Sequence, residues 1–537
     1  MGIVLIDGQE VEVGNHERLN GIQAARKAGV EVPHYCWHAG LTVVASCRMC
    51  LVETGTRNAE TGEIKMLPKL VPACQTPAKE GTVFVTNSEK VRQSRAFVEE
   101  CLLIDHPIDC SICDKAGECS LQDYHFDYGQ KERRADIQPF HSRRRSMGET
   151  VTLFVDRCVM CTRCTRFTRE IAGTAELMVI NRGASEEIDV FPGFPLSNKL
   201  SGNVVDLCPV GALGDKDFLY QQRVWFMKSN NGVCAGCSTG CSIKIEENQN
   251  EVYRLKPREN MHINQWWMCD EGRYGYHHAN SLERISGPWK NSPDGPIALD
   301  WTRLPDELSA QLKLARPLAA VLSPFLTVED AFRLATVIRN IDPQAVVALG
   351  PVPVVGENET FKNGFTIRAE KCPNRKGVAE VVKHFDGLTD FAELLNQVDA
   401  GNIQGVWFSG GSPDAAWVDA DTASRLGSLK LLIVQDLFPS PLTAAAHYIL
   451  PATSFAEREG SYVNYADRLQ SFRWAVRPRP GVRSEGSIFQ QMLGIKGLYR
   501  AAPVLEEVVR VIPYFAGAQL PVPEQGADLR ANQLAAT

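Results

Sequence analysis

The opening stretch of the chain, IVLIDGQEVEV, alternates apolar and polar residues around the pair Asp7-Gly8. Period-two alternation about Asp-Gly predicts a β-hairpin with a two-residue turn. The segment NGIQAARKAGV (20–30) repeats its apolar positions at helical spacing instead, and Gly29 is placed to stop that helix. Two further strand-like runs, CRMCLVET and GTVFVT, complete an α+β unit over 1–86, for which two hairpins and a crossing helix suggest a β-grasp arrangement. A second helical run, SEKVRQSRAFVEECLLID (88–105), ends before His106-Pro107, because proline disfavours helix in the residue ahead of it. Residues 128–150 are charged and lack an apolar period, so a linker is expected there, followed by a short strand VTLFV (151–155). From about residue 216 the pattern changes. Strand-like LAAVLS, AVVALG, GVWFSGG and LKLLIVQD alternate with helix-like VEDAFRLATVIRN and FAELLNQV, which predicts parallel βαβ units in a doubly wound sheet. The end of the chain, rich in Ala, Pro, Gln and Gly, reads as a tail over 516–537.

Composition adds limits to this pattern. A chain of 537 residues, 44% hydrophobic and 23% charged, has the length of several soluble domains. No apolar run approaches the roughly 18 residues of a membrane span, and the N-terminus lacks the basic and apolar regions of an export signal. The expectation is a cytoplasmic chain, or one peripheral on the cytoplasmic side of a membrane. A net charge of −7 gives no field to recruit nucleic acid, and the basic run HSRRRS (141–146) reads as solvated linker. FSGGSPD (408–414) lacks the helix-opening G-x-G-x-x-G and reads as a turn rather than a phosphate site.

Cysteine carries the chemistry. Of seventeen, sixteen lie between Cys36 and Cys269, and only Cys372 follows. Short-spaced groups in a chain without an export signal favour metal ligation over disulfides. Cys36, Cys47, Cys50 and Cys74 suit a [2Fe–2S] cluster clamped by a β-grasp loop, with a structural zinc as the alternative. HPIDCSICDKAGEC supplies Cys110, Cys113 and Cys119 but no fourth cysteine, which leaves His106 and Cys101 as candidates. CVMCTRC supplies Cys158, Cys161 and Cys164, and the remote Cys208-Pro209 completes the pattern of a [4Fe–4S] ferredoxin. Arg157, Arg163, Arg166 and Arg169 flank that group, either offsetting its charge or lying on a solvated face. Cys234, Cys237, Cys241 and Cys269 also suit a [4Fe–4S] cluster, with a zinc ribbon as the alternative.

The stretches CRMCLVE, HPIDCSICDKAGECSLQD, CTRCTRF and SGNVVDLCPVGAL resemble the large iron–sulfur subunit family of respiratory complex I, NADH:quinone oxidoreductase. LPATSFAEREGSYVNYADRLQ (450–470) is similar, less sharply, to molybdopterin oxidoreductases. The resemblance implies a multidomain fold: a β-grasp [2Fe–2S] ferredoxin domain (1–86), a [4Fe–4S] domain (87–127), a linker (128–150) and a [4Fe–4S] ferredoxin-like domain (151–215). A molybdopterin-oxidoreductase-type [4Fe–4S] domain (216–285) and a truncated α/β region with a doubly wound parallel sheet (286–515) then follow. It assigns Cys36, Cys47, Cys50 and Cys74 to the [2Fe–2S] cluster, and His106, Cys110, Cys113 and Cys119 to a [4Fe–4S] cluster. Cys158, Cys161, Cys164 and Cys208 fall to a second [4Fe–4S] cluster. Cys234, Cys237, Cys241 and Cys269 fall to a third, kept by some bacterial members and off the main route. Cys101 follows Val91 and Val98 at helical spacing, which places it on a buried stripe as a small hydrophobe, and so favours His106.

The implied role is an electron relay from the NADH-oxidising flavin subunit toward the quinone-side clusters, with no catalytic residue on this chain. The implied partners are the NADH/FMN-binding flavoprotein subunit, its [2Fe–2S] partner and the quinone-side iron–sulfur subunits, on the cytoplasmic side of a bacterial inner membrane. Three departures from molybdoenzymes argue against molybdopterin: Glu271 where a Lys or Arg is usual, no cysteine at the metal position, and an end soon after YVNYADRLQ. The rival functions are an iron–sulfur subunit of an NAD-linked formate dehydrogenase or hydrogenase, and a zinc-stapled scaffold.

Overall fold

The computed structural model describes residues 2–530 except Asn15, Arg133, Arg143 and Ala184. Arg143 of the basic run and residues 531–537 of the expected tail therefore lie outside the described residues. The chain forms two compact units, residues 1–226 with 361–363, and residues 227–360 with those from 364 onward.

In the first unit, β1 (Gly2–Ile6) and β2 (Gln9–Val13) pair antiparallel across Asp7-Gly8. Both turn residues have positive φ, 49° and 85°, as the tight hairpin turn that matches strand twist requires. Helix α1 (Gly21–Lys27) starts at an Asn20–Gln23 capping box and stops at Gly29, whose φ is +73°. β3 (Leu51–Arg57), β4 (Ile64–Met66), β5 (Val71–Pro72) and β6 (Thr82–Val85) complete a sheet in the order β2-β1-β6-β3-β4, with β5 on β3. Its central pair, β1 with β6, is parallel, the mixed arrangement of a β-grasp sheet. The core beneath it contains Ile6, Ile22, Trp37 and Phe84, together with Cys50 and Cys74.

Helix α2 (Glu89–Leu103) is capped by Ser88. Its buried positions are Val91, Arg95 and Glu99, and Cys101 is exposed, which corrects the expected stripe. Positions 91, 95 and 99 stack along one helix face, and a residue two further on points away from it. Helix α3 (Ser120–Tyr128) follows the second cysteine loop. The expected linker is structured at its end: β7 (Arg145–Ser146) pairs with β8 (Val151–Leu153), and Met147 is buried. Beyond come α4 (Arg163–Phe167), β9 (Leu177–Ile180), β10 (Glu187–Val190), α5 (Asn203–Leu207) and β11 (Leu213–Asp215), the last pairing with β8.

In the second unit an antiparallel sheet of β12 (Lys228–Val233), β13 (Ser242–Asn248) and β14 (Glu251–Pro257) leads to the short helix α6 (Asp270–Tyr274). Five parallel strands then lie in the spatial order Val346–Leu349, Leu318–Leu322, Gly405–Ser409, Leu431–Asp436, Tyr448–Pro451. Two short antiparallel strands, Trp289–Lys290 and Ile297–Ala298, extend the last edge. Numbered along the chain, the parallel strands run 2-1-3-4-5, the order of one doubly wound class. They are largely apolar because both faces are covered, with Ser409, Gln435 and Asp436 polar at two strand ends: Ala320 and Leu322 enter one core with Leu334 and Ile338, Ala319 and Val321 the other with Leu394 and Val398. The expected tail is anchored near its described end. Ala527–Asp528 pairs with Arg468 and Leu469, and Leu529 is buried, so its scattered apolar residues anchor what composition alone marks as loose.

Candidate metal centres

The first site lies on the loop between α1 and β3 and the turn after β5. Its thiols meet in pairs, Cys36 with Cys47 and Cys50 with Cys74. The bond from Cys47, aided by the backbone N–H groups of Cys47 and Ser46, pulls Cys36 down to about 5. Cys50 is lowered by Cys74, while Cys47 and Cys74 are pushed up as the donors of those bonds. Ala45 and Arg48 stand at positive φ, 51° and 60°, where non-glycine residues are uncommon, and this curls the loop around the four sulfurs.

At the second site Cys110 opens one tight helical turn and Cys119 caps α3. Burial pushes Cys113 and Cys119 up, Cys119 to about 11, with Cys110 adding to the first and Cys113 to the second. Burial, then the charge of Arg157, pulls His106 down to about 4, so its imidazole is neutral and a nitrogen is free to ligate at neutral pH. The same Arg157 acts on Cys113. Cys101 registers on Arg134 instead. Arg157 thus stands near both His106 and Cys113, while Cys101 is exposed on α2.

Cys158, Cys161, Cys164 and Cys208 line one cavity with Leu153, Ile188, Val210 and Leu213. Burial raises Cys158 to about 12 and Cys161 to about 11, and pushes Cys164 well above the ordinary thiol range. Met160 N–H donates to Cys158 Sγ at 3.4 Å. Met160 and Thr162 sit at φ 47° and 57°, so the loop turns left-handed between successive cysteines and aims all three inward.

Cys234, Cys237, Cys241 and Cys269 line a further cavity with Met268, Phe365 and Ile367. Burial raises Cys234 to about 12 and pushes Cys241 and Cys269 well up. Gly236 and Gly272 N–H groups donate to Cys234 and Cys269 sulfurs at 3.5 and 3.3 Å. Cys372, isolated in sequence, is buried where it feels Cys237, because the 364–375 loop folds back through Ser238 N–H on Glu370 O at 3.0 Å. Buried thiols held up in this way must lose protons on binding metal, so loading any of the four sites releases protons.

Two glycines matter that cysteine spacing does not single out. A Cβ on Gly211 would stand 2.2 Å from Cys113 Sγ, and one on Gly272 3.0 Å from Cys234 Sγ. The only sequence signal is their place near Cys208-Pro209 and Cys269. The arginines divide: Arg157 and Arg166 are buried, Arg163 donates to Trp37 O at 2.6 Å and Leu207 O at 3.3 Å, and Arg169 is exposed beside Glu170.

A cavity of about 390 Å³ next to Cys234 is lined by Phe325, Trp417, Phe455, Tyr462, Lys371 and Arg458, among others. Its position at the ends of the first and third parallel strands is where doubly wound sheets hold ligands. Its cations are engaged: Lys371 pairs with Glu271 at 2.5 Å and Arg458 with Glu485 at 3.1 Å. The nearby Gly410-Gly411 turn closes over the buried carboxylate of Asp436, which accepts from Gly411 N–H at 2.8 Å and would repel a phosphate. These residues do not fit an anionic pterin.

Five family descriptions match the chain. They are "2Fe-2S iron-sulfur cluster binding domain" over 3–89, "NADH-ubiquinone oxidoreductase-G iron-sulfur binding region" over 95–134, and "NADH-quinone oxidoreductase subunit 3, ferredoxin-like domain" over 148–214. "Molybdopterin oxidoreductase Fe4S4 domain" matches 227–281 and "Molybdopterin oxidoreductase" 351–494. The chain is therefore a multidomain protein of ferredoxin-type domains followed by a molybdopterin-oxidoreductase-like α/β region. It is a homologue of the G subunit of NADH-quinone oxidoreductase from Rickettsia felis, 34% identical over 343 residues, 63% of this chain and 48% of that protein. It is 35% identical over 299 residues to the mitochondrial NADH dehydrogenase [ubiquinone] iron-sulfur protein 1 of Solanum tuberosum, covering 56% of this chain and 39% of that one. The NADH-ubiquinone oxidoreductase 75 kDa subunit of Reclinomonas americana is 36% identical over 290 residues, 53% of this chain and 39% of that one. The matched region thus spans about half, or less, of these relatives' length. A solved chain of an NAD+-reducing [NiFe]-hydrogenase overlays with a TM-score of 0.35 at 24% identity, over 42% of this chain and 91% of that one, a likeness too loose to carry an argument.

Proposed function

We propose that this chain is an electron-relay iron–sulfur subunit of the peripheral arm of complex I, passing single electrons from the NADH-oxidising flavin subunit toward the quinone-side clusters. It holds one [2Fe–2S] cluster on Cys36, Cys47, Cys50 and Cys74, and [4Fe–4S] clusters on His106, Cys110, Cys113 and Cys119, and on Cys158, Cys161, Cys164 and Cys208. A third [4Fe–4S] cluster belongs to Cys234, Cys237, Cys241 and Cys269. The observation that carries this is the clustering of donors that lie far apart in sequence, such as Cys164 and Cys208 in one cavity and Cys241 and Cys269 in another.

Such clusters accept and release one electron without breaking bonds. The chain's residues bind them through thiolates and one neutral imidazole, and offer N–H groups to ligand sulfurs. Apolar walls such as Leu153, Ile188 and Phe365 keep water from the third and fourth sites. No catalytic residue is assigned, the NADH and quinone sites lying on other subunits of the complex. The paired state of Lys371 and Arg458 supports a chain without molybdopterin. Among the described residues no helix is long and apolar enough to cross a membrane, and the proposed place is peripheral, on the cytoplasmic face of the inner membrane.

Iron, acid-labile sulfide, zinc and molybdenum analysis of the chain in its purified complex tests this. About fourteen iron atoms with matching sulfide are expected from one binuclear and three tetranuclear centres. A colourless, zinc-loaded chain would make it a scaffold, and stoichiometric molybdenum would make it a molybdoenzyme.

A further inference from the structure

We propose that Arg166 is the shared counter-charge of the first and third sites and the hydrogen-bonded link between them, holding both reduction potentials up together. This rests on the iron–sulfur reading of those two sites. Arg166 lies on α4 and is 2% exposed. One of its nitrogens, Nη2, donates both to Cys36 O and, at 3.2 Å, to Cys161 O. Nη1 donates to Thr42 O, and Nε to Thr162 O at 3.3 Å. One side-chain atom therefore joins the backbones of a ligand residue of each site.

All four acceptors are main-chain carbonyls, and none is a carboxylate. Glu170 spends its oxygens on the N–H and hydroxyl of Thr42, at 2.9 and 2.6 Å, and on Arg169 at 3.1 Å. A buried charge stripped of water needs an opposite charge, because neutral dipoles replace hydration only in part. The thiolates of the two loaded sites supply it.

The electrical consequence follows directly. Reduction adds one negative charge to a site, and a fixed cation close by favours that state. When one electron leaves the first site and enters the third, or the reverse, no bond or proton changes. Arg166 meets the same total charge before and after, so it favours neither direction of transfer. Arg169, exposed and paired with Glu170, has no such position.

The test uses the full chain in its complex, with EPR redox titration of each cluster signal in R166Q, R166K and R169Q. In R166Q the reduced-to-oxidised ratio at fixed ambient potential is expected to fall about tenfold at both sites, which for one electron is about 59 mV. R166K keeps the charge and is expected to stay near wild type, as is R169Q, and the His106 site should not move in any of them. Unmoved potentials in loaded R166Q, a shift at one site alone, or equal shifts in R166Q and R166K would overturn the proposal. If R166Q loses iron from the first and third sites while R166K keeps it, the need for charge is supported; equal loss in both makes the role one of packing and refutes it. Wild-type chain without iron at those sites would instead refute the reading on which the inference rests.

Discussion

His106 shows how much one residue decides. Without it the second site has three thiols, and as the proposed fourth ligand it would complete a set in which a neutral donor replaces a thiolate. One negative charge fewer raises the potential of such a centre, as histidine does in Rieske clusters. His106→Cys is therefore expected to keep a tetranuclear cluster at a lower potential, and His106→Ala to lose it, both read by EPR and iron content. Because Cys101 is exposed on α2, Cys101→Ser should leave that signal unchanged; its loss would return the ligand role to Cys101. A different residue contributes to pH dependence in the second unit. Glu329 is buried, accepts from Ser461 N–H and hydroxyl at 2.8 Å each, and is pushed by burial up to about 7 from 4.5. Folded chain then holds a proton that unfolded chain releases, so this contribution to stability is lost as pH rises from about 4.5 to 7. Glu329→Gln should flatten that part of the melting-temperature curve, and an unchanged slope would contradict the assignment.

Elements are where sequence patterns succeed and fail for identifiable reasons. Asp7-Gly8, the Asn20 cap and Gly29 each name a backbone conformation, and the hairpin and α1 form there. The βαβ region was equally legible, because strands buried on both faces are largely apolar. Helix α2 was misread on one face, since its inner stripe carries Arg95 and Glu99, and buried charge is invisible to a hydrophobic period. The segment after 516 was misread because one strand pair and one buried leucine suffice to pin a polar stretch. Loop geometry was least legible: the left-handed Met160 and Thr162 have no compositional mark, and Gly211 acts through a neighbour nearly a hundred residues away. Gly211→Ala should cost about 1–3 kcal/mol as an overpacking change and reduce iron at the second site. Wild-type stability and full iron in that variant would show that the Gly211 loop does not press on Cys113.

At the scale of the whole chain, the spacing of cysteines points to four groups, and the fold brings the third and the fourth each to one cavity, while their surroundings cannot be read from spacing. Whether Arg157, Arg163, Arg166 and Arg169 face solvent or the sites cannot be read from one dimension; the fold buries Arg157 and Arg166 and leaves Arg169 outside. Likewise Glu271, unusual in sequence, acquires its meaning only beside Lys371, a hundred residues on. As proposed, the chain is a multi-cluster relay, with one binuclear and three tetranuclear centres on the sixteen residues named. The most direct measurement is an NADH-titrated EPR spectrum of the purified complex, with spins quantified against iron on this chain. A binuclear signal and distinct tetranuclear signals on about fourteen iron atoms are expected, with the first three sites exchanging electrons with NADH. Absence of the binuclear signal, or far fewer iron atoms, would contradict it.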